Sequence, residues 1–330
     1  MKNALVDEAS RLAATEARLV VLNALDEPTL FQKFGSAQPK QLFDTSGERG
    51  ATIGLAAGLA SSGLRPLCVL NASSASSEYL HQIKFDVCYH GLPVVIVGTD
   101  TGLSAIAKGE SHLALQDIAA MRTLPGMRVL APADPMELRS CLRAALSENG
   151  PTYIRIGAKG ESAFFPERPA FSFGVWKQVR QGSRVTLLVT GSLMSAAIRA
   201  ADILEQTSLC PRVCSCASIK PLDTSALLRY FTKDELVVTI EEHSRIGGFG
   251  SAVSEWLTDN SGRQHARLLR LGTEDEFLGP TAIRPMLAKP ATSAPPPSLR
   301  PFAPIWKLIA EQFFVARSRR GFPPGHLGFL

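Results

Sequence analysis

The sequence predicts an α/β protein with two doubly wound parallel-sheet domains, and three observations carry that reading. Short apolar runs alternate with helical-period segments along most of the chain. Strands that alternate with helices form parallel sheets, because each crossover needs a helix to bring the chain back. The alternation breaks once, between Gly157 and Ser183, where Pro166, Pro169 and several aromatics interrupt it, and then it resumes. The length of 330 residues suits two domains better than one. With 45% hydrophobic and 20% charged residues, the chain has enough apolar side chains for two cores.

In order along the chain, residues 1–30 read as a helical lead-in, with apolar residues of Ala4–Leu25 at helical spacing. Phe43–Thr45 approaches a turn at Gly47. Ile53–Ser62 is a helix of small residues, which permits close packing. Pro66–Leu70 is a strand, Glu78–Tyr89 a helix, and Leu92–Val97 a strand ending at Gly98. A polar loop then leads to a helix over His112–Thr123. Met127–Leu130 is a strand, ended by Pro132 and Pro135. Pro135–Ser147 is a helix and Thr152–Ile156 a strand. In the second unit, strands are expected at Arg184–Val189, Arg212–Ser218, Glu235–Ile240 and Arg267–Leu271. Helices are expected at Ser192–Gln206, Thr224–Phe231 and Gly247–Asp259. Residues 289–304 (KPATSAPPPSLRPFAP) read as a linker and 305–316 as an amphipathic helix in a tail. The expected divisions are 1–165, 166–288 and 289–330.

The net charge of +5 is mild, and part of it sits in the tail at Arg317, Arg319 and Arg320. No concentrated basic face is visible, which argues against nucleic-acid binding. Six cysteines include Cys210, Cys214 and Cys216, a spacing unlike a zinc site, so buried thiols and no metal ligands are expected. No stretch reads as a signal peptide or a transmembrane helix, and the chain is expected to be cytoplasmic.

Five segments in order carry a family resemblance: GLAAGLASSGLRPL (54–67), HQIKFDVCYHGLPVVIVG (81–98), GESHLALQDIAAMRTLPGMRVLAPADP (109–135), GPTYIRIGAKGE (150–161) and VTIEEHSRIGGFGSAVSEWL (238–257). Together they resemble the transketolases, and most closely the C-terminal subunit of split, two-chain members. The resemblance spans about residues 40–275 and implies a pyrimidine-binding (Pyr) domain followed by a transketolase C-terminal-like domain. It implies thiamine diphosphate chemistry: cleavage of a carbon–carbon bond beside a ketone and transfer of a two-carbon unit to an aldose-type acceptor. The cofactor supplies the carbanion chemistry and the protein supplies orientation and proton transfer.

The resemblance also suggests site residues. Family members use a glutamate to hold the aminopyrimidine. Here an ungapped count from Gly54 puts Arg49 at that position and Glu48 one residue early. Either a one-residue bulge, eased by Gly47 and Gly50, brings Glu48 into the site, or an arginine stands there. A cation cannot accept a hydrogen bond from a ring N–H. Asn71 and Ser74 stand where aromatics usually stack on the pyrimidine, and Tyr79 or Phe85 is a substitute, although Phe85 reads as core. His112 matches a proton-transfer histidine, with its neutral form favoured at a helix start. Asp100 and Lys108 match substrate-facing positions, and the lysine suggests a more anionic substrate. Arg155 matches an arginine that clamps a substrate phosphate. Glu242 and His243 are expected at a domain interface.

The GDG motif with which the family binds diphosphate and magnesium does not occur. The resemblance therefore implies an N-terminal partner subunit that carries GDG and holds the Mg²⁺, with self-association through the Pyr and C-terminal domains into a heterotetramer. Two other readings remain open: the beta subunit of a thiamine-dependent 2-oxo acid dehydrogenase, and a non-catalytic subunit that kept the fold.

Overall fold

The computed structural model describes residues 1–277 except 28, 158–162, 207–208, 261 and 263–265. The expected linker and tail at 289–330 lie outside the described residues.

The first sheet holds seven strands in the order β10-β5-β6-β4-β3-β1-β2. They are β1 (Leu19–Asn23), β2 (Leu42–Asp44), β3 (Arg65–Asn71), β4 (Val95–Thr99), β5 (Arg128–Leu130), β6 (Thr152–Arg155) and β10 (Ser218–Lys220). All pairings are parallel except β10 with β5. The second sheet runs β12-β11-β8-β9-β7, built from β7 (Lys177–Arg180), β8 (Val185–Val189), β9 (Arg212–Ser215), β11 (Leu236–Ser244) and β12 (Arg267–Thr273). It is parallel apart from the edge pairing of β7 with β9.

Three parts of the chain depart from the sequence reading. Leu19–Asn23 is not helical. Helix α1 (Lys2–Ala13) stops early, and LVVLN becomes a strand buried at every position between β2 and β3. An apolar, β-branched run of this length suits a central parallel strand, and helical spacing alone could not separate the two. The expected linker contains β7. The expected strand Arg212–Ser218 is split, and its far part crosses to the first sheet as β10. That crossing makes the two units share structure, and one apolar cluster includes Ile118, Val129 and Tyr153 together with Trp176, Phe231 and Phe249. Of the cysteines, Cys210 is exposed and the other five are buried and unpaired.

The remaining helices cover the sheets: α2 (Gln32–Ala37), α3 (Thr52–Ser61), α4 (Ala72–Ser76), α5 (Leu80–Gln82, continuing as a π turn over Ile83–Cys88), α6 (Asp117–Thr123), α7 (Pro135–Ser147), α8 (Met194–Glu205), α9 (Thr224–Lys233) and α10 (Phe249–Asp259). Helix α7 shows how local chemistry fixes a boundary. Asp134 Oδ1 accepts from the Met136 and Glu137 amides at 3.0 and 2.8 Å, and Pro135 occupies the first turn. Its Oδ2 accepts from the Phe164 and Phe165 amides, both at 2.7 Å, so one carboxylate also pins the connection to the second unit.

Strand register aligns the carboxyl ends that position the site. Asn71 lies beside Thr99 and Gly98 beside Arg155. Gly98 leaves room for Tyr153, whose hydroxyl would stand 2.2 Å from an added Cβ. Gly98→Ala should therefore destabilise the isolated chain by about 1–3 kcal/mol in urea unfolding. Gly54→Ala, in α3 with nothing within 4 Å of the new methyl, should stabilise it by up to about 1 kcal/mol. Equal effects would contradict this packing.

Candidate active site

Apart from Glu242 and His243 on β11, the residues singled out from sequence lie at or beyond the carboxyl ends of strands in the first sheet, where open α/β sheets bind ligands. They fall into three groups.

The first group follows β2 and β3. Glu48 and Arg49 are both exposed, and Glu48 precedes a 3-10 turn over Arg49–Ala51 that leads into α3. Arg49 Nε donates to the Ser46 carbonyl at 3.1 Å, so this side chain folds back on its own loop. Gln82 Nε2 donates to the Gly50 carbonyl at 3.0 Å and ties the loop to α5. The Glu48 carboxylate has no partner among the described residues. Asn71 ends β3 half-buried, and Ser74 Oγ donates to Glu78 Oε1 at 3.3 Å. Tyr79 is 6% exposed; burial raises its hydroxyl pKa, and the nearby Glu78 adds to that. Phe85 is 43% exposed and rests against His81, with ring centroids 4.8 Å apart, so it is not core. It lies in the π turn over Ile83–Cys88, whose buried residues are Ile83, Val87 and Cys88.

The second group sits at the end of β4. Asp100 is buried and has a φ of 58°, a left-handed conformation that aspartate tolerates. Its carboxylate pairs with Lys108 Nζ at 3.1 Å and with Lys2 Nζ at 2.9 Å. Lys2 also meets Glu27 Oε1 at 2.5 Å. Burial opposes both charges, but the mutual hydrogen bonds and charges prevail: the Asp100 pKa falls and the Lys2 pKa rises. Lys2 comes from α1 and no sequence motif pointed to it. Lys108 keeps its ammonium half exposed. His112 is exposed in a 3-10 turn over Glu110–His112, ahead of α6, whose first residue is Asp117. The residues between the bridged Gly102 and Ala114 form a loop, and the expected helix start at His112 is displaced to Asp117.

The third group is buried, except that Glu242 and Ser192 are half-buried. Arg155 is 4% exposed and its Nε donates to Asp117 Oδ2 at 3.0 Å; Tyr153 Oη donates to the same oxygen at 2.9 Å. Arg155 Nη2 reaches the Glu242 carbonyl at 3.2 Å. The structure thus places Arg155 in a buried ion pair within the first unit, with one hydrogen bond across to the second, not in an open cleft. Its neighbours come from the second unit. Glu242 accepts from the Leu103 amide at 2.9 Å and from Ser192 Oγ at 2.9 Å. His243 is 0% exposed, its Nε2 accepts from the Ala119 amide at 3.3 Å, and its Nδ1 stands 2.7 Å from the Ser244 carbonyl. The neutral ring with its proton on Nδ1 satisfies both contacts, and burial lowers its pKa to about 4. Glu241 accepts from the Phe249 and Gly250 amides at 2.6 and 2.8 Å, at the start of α10. Burial nonetheless raises its pKa to about 7. Among the described residues, no group of three His, Cys, Asp or Glu side chains could hold a metal ion, and no helix is long and apolar enough to cross a membrane.

Two α/β units with a polar rim at the carboxyl ends of the first sheet define a Pyr-type domain followed by its C-terminal companion. Residues 1–159 match the transketolase pyrimidine binding domain and 174–289 the transketolase C-terminal domain. The 6-deoxy-6-sulfo-D-fructose transketolase subunit SqwH of Clostridium sp. (strain MSTE9) is 34% identical over 84% of this chain and 85% of its own length. A 1-deoxy-D-xylulose-5-phosphate synthase of Clostridium kluyveri (strain NBRC 12016) is 30% identical, and there the match spans 82% of this chain but only 43% of the synthase. Among solved structures, a split gene transketolase, described as an inactive beta4 tetramer, superposes with a TM-score of 0.79 at 31% identity, over 86% of this chain and 91% of that one. The chain belongs to the transketolase family. Within it, the chain corresponds to the C-terminal subunit of a two-chain transketolase, which favours that reading over a 2-oxo acid dehydrogenase beta subunit.

Glu241 gives a signed pH prediction. Its pKa is about 7 in the fold against an ordinary 4.5. The folded state keeps a proton that the unfolded state releases, so Glu241 lowers stability as pH rises from 4.5 to 7. Glu241→Gln removes that loss. The stability difference between variant and wild type should shift by roughly 3 kcal/mol in the variant's favour across this window and stay flat above it. Urea unfolding at a series of pH values measures it; a difference independent of pH would contradict the assignment.

Proposed function

We propose that this chain supplies the pyrimidine half of a two-chain, thiamine diphosphate-dependent transketolase that moves a two-carbon ketol unit from a ketose to an aldose-type acceptor. The observation that carries the proposal is the Glu48 carboxylate, exposed at the carboxyl end of the first sheet, without a partner among the described residues, on a loop anchored by Gln82. This donor set fits the aminopyrimidine end of the cofactor. Glu48 would accept from the ring N–H, with Asn71 and Ser74 offering polar contacts beside it and Tyr79 forming the buried wall. Arg49 turns to Ser46, which favours Glu48 as the activating group.

The same residues do not fit the other end. No metal-binding cluster exists among the described residues, so the diphosphate and Mg²⁺ belong on an N-terminal subunit that carries GDG. A heterotetramer that also pairs this chain with its own copy through both domains completes the site. The bound cofactor supplies the carbanion chemistry. The chain's own residues bind, orient and move protons: Glu48 holds the ring nitrogen's proton, and His112, exposed on the β4–α6 loop, exchanges protons with substrate hydroxyls. Asp100 and Lys108 present a paired carboxylate and ammonium toward the sugar, which suits a substrate with an anionic group. Arg155 acts as a positioning residue here, because Asp117 occupies its guanidinium.

The test is ketol transfer in a mixture of this chain and its N-terminal subunit, followed with aldose phosphate acceptors. Glu48→Ala should lower the rate by about 10²–10⁴-fold and His112→Ala by a smaller factor, while Arg49→Ala keeps most of it. An assembled complex whose rate is indifferent to Glu48→Ala would sink the proposal and leave a non-catalytic subunit in its place.

A further inference from the structure

The arginines that appear scattered in sequence are gathered by the fold onto one face. Helices α1 and α7 pack side by side on the first sheet, and a cleft of about 340 Å³ between them is lined by Arg11, Arg139, Arg143 and Arg168 together with Glu8 and Met136. The neighbouring cleft of about 550 Å³ shares Arg143. Its other two arginines are already used: Arg18 is held by Glu16, and Arg65 donates to the Glu148 carbonyl and to Asn149.

The smaller cleft differs in how its charges are held. Glu8 is 1% exposed beneath the arginines. One of its oxygens takes Arg139 Nη1 at 3.1 Å, and the other contacts Arg143 Nε. Asp7 takes Arg139 Nη2 at 3.2 Å. Arg11 and Arg168 are exposed and have no acceptor among the described residues. Four guanidinium groups against two carboxylates leave an excess of two positive charges. Glu167, next to Arg168 in the chain, is exposed and is not part of the lining.

We infer that the α1–α7 cleft is a binding site for a compact multivalent anion of the phosphate or diphosphate class. Two guanidinium groups are preorganised by a buried carboxylate, and two more converge without partners. Planar forks of this kind match phosphate oxygens two at a time, and a preorganised fork loses little entropy on binding. The cleft volume is in the range of small-molecule pockets, and four arginines around one such cleft differ from the extended basic stripe that nucleic acid needs. The site is separate from the candidate active site. Lys2 marks the active-site end of α1, and Glu8 and Arg11 lie six and nine residues further along the helix, about 9–14 Å away by helical rise.

The test is calorimetric titration of inorganic pyrophosphate into the full chain, without a partner subunit, at physiological ionic strength. Wild type should show one saturable site. The Arg11→Ala/Arg168→Ala double variant should bind at least about tenfold more weakly, with an unchanged circular dichroism spectrum, because neither side chain has a packed partner. Glu48→Ala should bind as wild type does. Undiminished binding by the double variant, loss of binding on Glu48→Ala, or no saturable binding to wild type would each overturn the assignment. None of these results depends on ketol transfer.

Discussion

The buried pair of Arg155 and Asp117 is the contact on which the rest of the arrangement depends. Arg155 ends β6 and Asp117 opens α6, so the pair sets how the loop bearing Lys108 and His112 returns to the sheet. The same guanidinium reaches the Glu242 carbonyl, and His243 receives the Ala119 amide one turn into α6. Both residues belong to β11 in the second sheet. A buried ion pair adds little net stability over an apolar contact of the same shape, but removing one partner costs about 3–5 kcal/mol. Its value here is registry. It fixes how α6 sits against β6, and the Arg155 and His243 hydrogen bonds then tie that frame to β11 of the second unit. Asp117 Oδ1 lacks a hydrogen bond among the described residues and stands 4.0 Å from His243 Nε2.

Around that fixed frame, the rim is arranged by local rules. Parallel register brings Asn71, Thr99 and Arg155 to one edge. Aspartate tolerates the left-handed turn that aims Asp100 at two lysines. Glycines stand where a neighbour comes too close for a methyl: Gly248 lies against Glu241 and His243, and Gly102 against Glu242. The acidic clamp on α10 therefore needs a residue without a side chain at Gly248.

Much of the fold was legible from period and punctuation. Helix α7 begins at Asp134–Pro135 and ends at Ser147 as the capping signals require, and β3, β6, β8 and β12 fall within two residues of their expected ends. What failed did so for physical reasons. Leu19–Asn23 is apolar on both faces, and such a run has no period that tells strand from buried helix. Ser218–Lys220 pairs with a strand some 90 residues away, a choice made by tertiary contact. For the candidate site, motif matching picked residues that the fold gathers at one edge of the first sheet, but could not rank the groups there. Arg155 has the sequence context of an exposed clamp, and only packing shows Asp117 against it. Lys2 lies in an ordinary amphipathic helix, and its burial against Asp100 leaves no local mark. The cluster of Arg11, Arg139, Arg143 and Arg168 joins residues far apart in the chain, so a modest net charge concealed it.

The central claim is that this chain carries half of a cofactor site, with the carboxylate that engages the pyrimidine and without the groups that hold the diphosphate. Calorimetric titration of thiamine diphosphate with Mg²⁺ into the chain alone, and into the chain mixed with its N-terminal subunit, tests it most directly. The account predicts binding with one cofactor per pair of chains in the mixture, absent from either subunit alone and lost on Glu48→Ala. Equal binding to the isolated chain, or none in a mixture shown by sedimentation to be assembled, would contradict it.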